Sequence, residues 1–579
     1  MENREIAQML AETADLMEIA GEDPFRIRSY RNGAAAIEAY PERIEEVLRN
    51  PNKKVTDIPG IGKGLAAVLE EIVRRGSFER RDELLARYPP TALELLKIQG
   101  LGPKSIAMIW EHFRVSTVDG LERLCREHKL QTLPRMGAKL EEKVLRSIAQ
   151  YRQSAGRFLL HFAEQTAQDL SAYLGQVAGV ERITPAGSLR RGKETVGDLD
   201  LLVTGPGAAA ALEAFVHYPR VQQVLSRGEN KASAKVGLEG LQVDLRALPR
   251  ESFGAALQYF SGSKEHNIAL RNRALRLGYS LNEYGLFRLG ADGKATHERV
   301  AGETEEEIYE RLGLDWIPPE LRENQGEIEA AERHALPKLV TLADIRGDLH
   351  MHTTETDGRA TLEEMAKQCR ELGYQYLAIT DHSKALAMAN GLDEKRVTEF
   401  AARVRRLDGE LGIRVFSGIE CDIRRDGSMD LADDALAELD FVIASVHSHM
   451  NLEVSEMTDR LLRAVECRYV RALGHPTGRV LLHRDGYPFD FEQVARAAAR
   501  HKVALEINAS PERLDLHAPL IRLARSLGCK FVISTDAHHP KHLLHMRFGV
   551  SMARRGWLTA ADVWNTLPVE EFEKVIRWR

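Results

Sequence analysis

After residue 341 the chain repeats one pattern seven times: a short β-branched run, then a helical stretch, with a residue able to hold a metal ion at the end of nearly every run. In order the runs finish at His350 and His352, Asp381-His382, Glu420, His447, His475, Glu506, and Asp536 with His538. Thirteen of the chain's 20 histidines fall in this part. Strands that alternate with helices predict a parallel sheet, and in a parallel barrel the loops at the C-terminal strand ends build the active site. Ligands at run after run therefore predict one convergent metal centre. Such barrels usually have eight strands, so seven runs predict a distorted or incompletely closed (β/α)7 barrel over 341–579.

A second acidic group lies earlier. The turn Gly187-Ser188-Leu189-Arg190-Arg191-Gly192 precedes Gly197-Asp198-Leu199-Asp200, and Asp244 follows in Leu241-Gln242-Val243-Asp244-Leu245. Alternation along a strand puts Asp198 and Asp200 on one face. Asp244 on a neighbouring strand would complete a carboxylate cluster able to bind two Mg²⁺ or Mn²⁺ ions. The glycine-serine turn offers backbone N–H groups and the arginines offer positive charge, which together suit a polyphosphate. A bare Asp-x-Asp is as often a solvated strand edge; the upstream turn and the third aspartate argue for a site.

Residues 1–85 read as short amphipathic helices, with apolar residues at helical spacing in Ile6, Met9 and Leu10 and again in Leu65, Val68, Leu69 and Ile72. Between them sits Ile58-Pro59-Gly60-Ile61-Gly62-Lys63-Gly64, and about 40 residues on comes a second copy, Ile98-Gln99-Gly100-Leu101-Gly102-Pro103-Lys104. Both have the form of helix-hairpin-helix turns, in which Gly-x-Gly aims the open N–H groups of the next helix at a DNA phosphate without reading bases. Gly60, Gly62, Lys63, Gly100, Gly102 and Lys104 are the candidate DNA contacts. Leu133-Pro134-Arg135-Met136-Gly137 is a degraded third candidate.

The ordered set from the glycine-serine turn and the aspartates through Tyr259-Phe260-Ser261-Gly262-Ser263, Asn267, Arg271, Leu281-Asn282-Glu283-Tyr284 and Trp316-Ile317-Pro318-Pro319 resembles the palm and thumb of the family X DNA polymerases. That resemblance covers residues 1–320. It implies that Asp198 and Asp200 bridge two metals and that Asp244 holds the catalytic one. It implies that Ser188, Arg191 and Gly197 grip the nucleotide's phosphates, that Tyr259, Phe260 and Gly262 pack under the sugar, and that Asn267 and Arg271 touch the base and the template. Two departures stand out. Lys264 occupies a position that is typically acidic in the repair relatives. The register from Gly60 also places Val68 where lyase-active relatives carry the Schiff-base lysine, and a valine cannot be that nucleophile. The first domain is therefore expected to hold the 5′ side of a gap, through Tyr30, Arg31 and Lys63, without lyase chemistry.

The late motifs, Asp348-Leu349-His350-Met351-His352, Asp357-Gly358, Thr380-Asp381-His382, Gly418-Ile419-Glu420, Ser445-Val446-His447, Gly474-His475-Pro476 and Thr535-Asp536-Ala537-His538, resemble the polymerase and histidinol phosphatase (PHP) family. The resemblance implies a ligand set of His350, His352, Asp357, His382, Glu420, His447, His475, Asp536 and His538, enough for up to three Mn²⁺ or Zn²⁺ ions. His449, His501 and His517 lie outside it. Clustered metals of this kind hydrolyse phosphoesters. Joined to a polymerase, the expected substrate is the 3′ end of DNA, cut by a 3′–5′ exonuclease or a related phosphoesterase.

A chain of 579 residues is too long for one core. The expected division is an all-α helix-hairpin-helix domain over 1–85, a fingers-like helical domain over 86–150, an α/β nucleotidyltransferase palm over 151–250, an α+β thumb over 251–320, a polar linker over 321–340 and the barrel over 341–579. The formal charge of −6 conceals a split: residues 51–300 carry 37 Lys+Arg against 28 Asp+Glu, whereas 301–340 carry 4 against 11. The basic part is where DNA is expected to lie. Five cysteines without paired spacing argue against a disulfide framework or zinc ribbon and fit a reducing cytoplasm. No apolar run reaches the roughly 18 residues of a membrane span, and Met1-Glu2-Asn3-Arg4-Glu5 is not signal-like. The reading is a monomeric gap-filling DNA polymerase that takes dNTPs and gapped or primer-template DNA and carries a metal-dependent nuclease. The alternatives are a polymerase whose barrel is structural and silent, and a nucleotidyltransferase for non-DNA substrates with a small-molecule phosphatase attached.

Overall fold

The computed structural model describes residues 3–40, 42–50, 53–154, 156–407 and 409–577. The chain divides into two compact units, 1–155 and 156–579. Among the described residues the first unit contains only helices, gathered around one apolar core that includes Ile6, Leu10, Leu69, Ile72, Ile106 and Ile148. The two Gly-x-Gly turns are built alike. Gly60 (φ +89°) and Gly100 (φ +98°) take the left-handed conformation that a side chain resists. Gly62 and Gly102 are extended and lead into helices Lys63–Arg75 and Pro103–Phe113 with no side-chain cap, so the first-turn N–H groups stay open to an anion. Arg135 (φ +65°) repeats the left-handed step shortly before helix Ala138–Ser154, which makes the degraded copy a third turn of the same geometry.

One expected DNA contact in this unit needs correction, and a second is exposed but ion-paired. Tyr30 is buried, stacked on Phe78 at 6.1 Å, and belongs to the core rather than the surface. Arg31 is held by Asp15 at 3.0 Å and by Glu18. Lys63 is exposed at the start of its helix, and Val68 packs half-buried against the core.

The second unit begins with a five-stranded mixed sheet in the order Arg182–Pro185, Asp198–Thr204, Leu241–Leu248, Lys231–Val236, Val221–Arg227. Helices Leu160–Leu174 and Ala208–Val216 supply buried apolar residues to the same core as these strands. A smaller α+β part follows, in which helices Lys264–Arg276 and Glu305–Arg311 accompany a three-stranded antiparallel sheet. The segment expected to be a linker is instead built in. Arg322 and Glu327 are fully buried, and Leu321, Ile328 and Ala331 join the apolar cluster of the preceding subdomain. Two of its acidic residues are turned inward, Glu323 onto Arg191 and Arg555 and Glu327 onto His266, while Glu329 and Glu332 face water, a split that composition alone does not distinguish.

The last seven strands form one parallel sheet in strict sequence order, joined by helical crossovers. Parallel strands covered on both faces read as continuous apolar runs, and Tyr376–Ile379, Phe441–Ser445 and Phe531–Ser534 are buried throughout. The sheet nearly closes: Met351 bridges Ala537, and the His352 N–H donates to the Ala537 carbonyl at 2.8 Å. Where the first and last strands part, the buried Asn565 side chain fills the gap. Its Nδ2 donates to the carbonyls of Gly347 (2.8 Å) and Ile533 (2.7 Å), and its Oδ1 accepts from the Ile533 N–H (3.0 Å). Palm strands and barrel elements share one continuous apolar core. All five cysteines are free thiols, and among the described residues no helix is long and apolar enough to cross a membrane.

Candidate active sites

The barrel brings its ligand-type residues to one end because most stand in or just beyond the C-terminal part of a strand. His350, His352, His382, His447, His475, Asp536 and His538 follow their strands within a few residues, Glu420 lies near the end of strand Arg414–Asp422, and Asp357 comes from the loop after the first strand. The buried Asp348, at the end of the first strand, accepts from the N–H (3.1 Å) and hydroxyl (2.5 Å) of Thr535 after the last strand, which fixes the two loops that carry His350, His352, Asp536 and His538. Burial pushes the Asp348 carboxyl up to about 6. His350 Nδ1 sits 2.7 Å from Glu506 Oε1, so its Nε2 faces Glu420 (3.4 Å) and Asp536 (3.7 Å). His352 Nε2 lies 3.1 Å from Asp536. His382 reaches Glu420 at 2.9 Å and Asp357 at 3.5 Å, and Asp357 is also 3.5 Å from His538. His447 and His475 approach the other Glu420 oxygen at 3.3 and 2.9 Å.

Eight of the nine expected ligands fall into three overlapping groups: His352, Asp357, His382 and His538; His350, His352 and Asp536; His382, Glu420 and His447. His475 joins through Glu420. The donor set fits divalent metal on an independent observation. His350 Nε2, His352 Nδ1, His382 Nδ1, Glu420 Oε2, His447 Nδ1 and His475 Nδ1 are all buried without a hydrogen-bond partner, and so many orphans in one cluster would be costly if nothing were to engage them. The charges within the cluster are strongly coupled. Burial opposes ionisation, yet the surrounding histidines hold Glu420 and Asp536 well below the carboxylate range, while the carboxylates lift His382 to about 10 and His447 to about 9. Asp536 (φ +55°) and His475 (φ +25°) also stand in strained backbone, as is common where a side chain must be aimed.

Sequence reasoning noted Glu506 as a run end but left it out of the ligand set; it orients His350 and accepts from the His475 N–H at 2.5 Å. Asp381 was likewise noted as a run end and left out of the ligand set, and Asp422 and Asn508 were missed. Asp381 is bound by Thr353 and Thr356, Asp422 lies 3.3 Å from His447, and Asn508 donates to Asp536 at 3.1 Å. Asp422 and Asn508 carry no local signal in the sequence. His449, His501 and His517 belong to none of the three groups.

In the palm, parallel pairing sets Asp200 directly beside Asp244, with Asp198 two residues back on the same face. Burial raises the Asp200 carboxyl to about 6, helped by Asp198 and Asp244. Asp244 goes the other way: burial is outweighed by hydrogen bonds from Lys231 (2.5 Å), Ser233 and Gln242. Arg246, 3.6 Å from Asp244 and stacked on Phe260 at 4.3 Å, completes the charge balance. Neither Lys231 nor Arg246 was expected there, although both lie on the strands that carry or flank Asp244.

The glycine-serine turn is tied to the acidic strand by the Ala186 N–H, which donates to the Asp200 carbonyl at 2.9 Å. Ser188 and Gly197 are half-buried at its edge. Arg190 is committed to structure, forking onto Glu305 at 2.7 and 2.8 Å. Arg191 donates to Glu323 (3.0 Å) and to the Ser261 carbonyl (2.8 Å), so its guanidinium is held by protein groups and would have to exchange them to meet a phosphate. Tyr259 and Phe260 meet edge to face at 5.1 Å beside Gly262. Asn267 spends its amide on the Tyr259 carbonyl at 2.6 Å and accepts from Gln258, whereas Lys264 and Arg271 are exposed.

Comparison with known proteins relates the chain to families along most of its length. The helix-hairpin-helix domain profile matches residues 1–78, the SAM-like helix-hairpin-helix tandem 92–150, the DNA polymerase beta thumb 256–323 and the PHP domain 348–510. A Bacillus subtilis protein named DNA polymerase/3'-5' exonuclease PolX is 36% identical over 579 residues, 100% of each chain. DNA polymerase lambda of Arabidopsis thaliana is 26% identical over 352 residues, 55% of this chain and 62% of its own. A Caldicellulosiruptor bescii protein named "Probable phosphatase" is 32% identical over 202 residues, 33% of this chain and 79% of its own.

Proposed function

Because the chain belongs to the family X DNA polymerases, in the branch that joins a polymerase core to a PHP domain, we propose that it fills short gaps in DNA and removes nucleotides from DNA 3′ ends. What carries this reading is the presence of two separate acidic centres in one unit: the Asp198, Asp200 and Asp244 face, and the histidine-carboxylate cluster around Glu420.

At the first centre Asp198, Asp200 and Asp244 would hold two Mg²⁺ or Mn²⁺ ions, and at the second His350, His352, Asp357, His382, Glu420, His447, His475, Asp536 and His538 would hold up to three Mn²⁺ or Zn²⁺ ions. When bound, such ions neutralise phosphate charge and lower the pKa of water. Asp244, kept ionised by Lys231, lies beside the primer 3′-hydroxyl, which attacks the α-phosphorus of a dNTP and releases pyrophosphate. Ser188, Gly197 and Arg191 take the phosphates, Tyr259, Phe260 and Gly262 the sugar, and Asn267 and Arg271 the base pair. The turns at Gly60, Gly62 and Lys63 and at Gly100, Gly102 and Lys104 hold the DNA backbone. In the barrel Glu506 and Asn508 orient His350 and Asp536 around the 3′-terminal phosphodiester. The enzyme works as a monomer in the cytoplasm, on gapped repair intermediates.

The test is paired. Asp244→Ala should abolish extension across a one-nucleotide gap, and Asp536→Ala should abolish Mn²⁺-dependent shortening of a labelled 3′ strand. Undiminished shortening by Asp536→Ala would leave the barrel a structural module.

A further inference from the structure

The barrel helix Met546–Arg555 lies against the palm's phosphate turn. A Cβ placed on Gly192 (φ +66°) would fall 2.0 Å from Ser551 Oγ, so the last residue of the turn is seated directly on that helix. Leu189 of the turn and Phe548 of the helix are buried in the shared core. One turn beyond Ser551, Arg555 is 6% exposed and donates both to the Arg191 carbonyl (2.9 Å) and to Glu323 (3.2 Å). Glu323 therefore serves three cations at once: Arg555, Arg191 at 3.0 Å and Lys193 at 3.4 Å. Burial opposes its ionisation, but Arg191 and Arg555 hold its carboxyl low.

We infer that Arg555 of the barrel is a positioning residue for nucleotide binding in the palm: by holding Glu323 and the Arg191 backbone, it frees the Arg191 guanidinium to leave Glu323 for a phosphate of the incoming dNTP. This rests on the reading of the turn as the triphosphate site. The geometry allows the exchange because the two groups on Arg191 are independent. Its carbonyl stays fixed by Arg555 while its side chain gives up both Glu323 and the Ser261 carbonyl. Glu323, left with Arg555 and Lys193, is not stranded as an unpaired buried charge. Without Arg555 the carboxylate would be shared between Arg191 and Lys193 alone, and it would compete harder with the nucleotide. The barrel thus takes part in polymerisation as well as hydrolysis, and it does so through the helix that follows Asp536 and His538 in the chain.

Steady-state gap filling by the full chain tests this. Arg555→Ala should raise the dNTP KM roughly tenfold with little change in kcat, within the usual range of coupling between sites. Adding Glu323→Gln in the same chain should bring KM back toward the wild-type value, because the competing charge is gone; a merely structural loss would be deepened by removing a second partner. Arg547→Ala, on the same helix but paired with Glu164, should leave KM unchanged. A wild-type KM in Arg555→Ala, or failure of Glu323→Gln to restore it, overturns the inference. If Arg191→Ala itself has a wild-type KM, the reading of the turn falls instead, and with it the premise.

Discussion

Replacing Asn565 by leucine should uncouple the two ends of the barrel sheet. The asparagine makes three hydrogen bonds across the seam, to the Gly347 carbonyl and to the Ile533 carbonyl and N–H, all buried. Leucine keeps a similar volume and removes all three partners. A buried backbone group left unsatisfied costs about 1–3 kcal/mol, so three of them, partly relieved by local adjustment, predict a loss of about 3–5 kcal/mol from the second unit. Asn565→Asp separates polarity from geometry. It keeps the acceptor for the Ile533 N–H but sets a carboxylate against two carbonyls, and it should be at least as damaging. Urea unfolding followed by a barrel-specific probe measures the loss, and isothermal titration with Mn²⁺ asks whether the ligand loops have moved. Both loops hang on the strands that Asn565 joins, so metal affinity should fall together with stability. A loss under about 1 kcal/mol with unchanged Mn²⁺ binding would refute the claim that this side chain closes the barrel.

Other consequences follow from single groups. Asp200, raised to about 6, must shed a proton to bind a cation, so apparent Mg²⁺ affinity for extension should drop about tenfold per pH unit below 6 and level off above it; a flat profile from pH 5 to 7 would contradict this. Glu305 is held at about 2 against an ordinary 4.5, with burial outweighed by Arg190 and Arg322. Its folded-state value is depressed, so its stabilisation is present above the ordinary carboxylate range and is lost as pH falls from 4.5 toward 2, and Glu305→Gln should cost about 3 kcal/mol near neutrality with that acid dependence abolished. Borohydride trapping on an incised abasic site should give no adduct within residues 1–85, because Val68 offers no amine; an adduct mapped there would reveal another nucleophile.

Much of the architecture was legible because it rests on periodicity. Unbroken apolar runs such as Phe441–Ser445 announce buried parallel strands, and the ligand that follows each one announces the catalytic end. The palm aspartates were legible for the same reason: alternation fixes a face, and pairing then places Asp200 beside Asp244. What escaped was whatever depends on contacts distant in sequence. Nothing near Asn565 marks it as the partner of Gly347, 218 residues away. The acidic stretch around Glu323 reads as a solvated connection until Arg191 and Arg555 are seen to meet it. Tyr30 was expected to be a contact for the 5′ side of a gap; its burial against Phe78 depends on a partner 48 residues on.

Two separate cation centres on one chain are the heart of this account, and anomalous scattering from crystals soaked in Mn²⁺ and a non-hydrolysable dNTP would locate them directly. Peaks are expected against Asp198, Asp200 and Asp244 and, in a second cluster, among His352, His382, Glu420 and Asp536. Peaks confined to one centre, or standing instead on the outlying run of His539, His542 and His545, would contradict it.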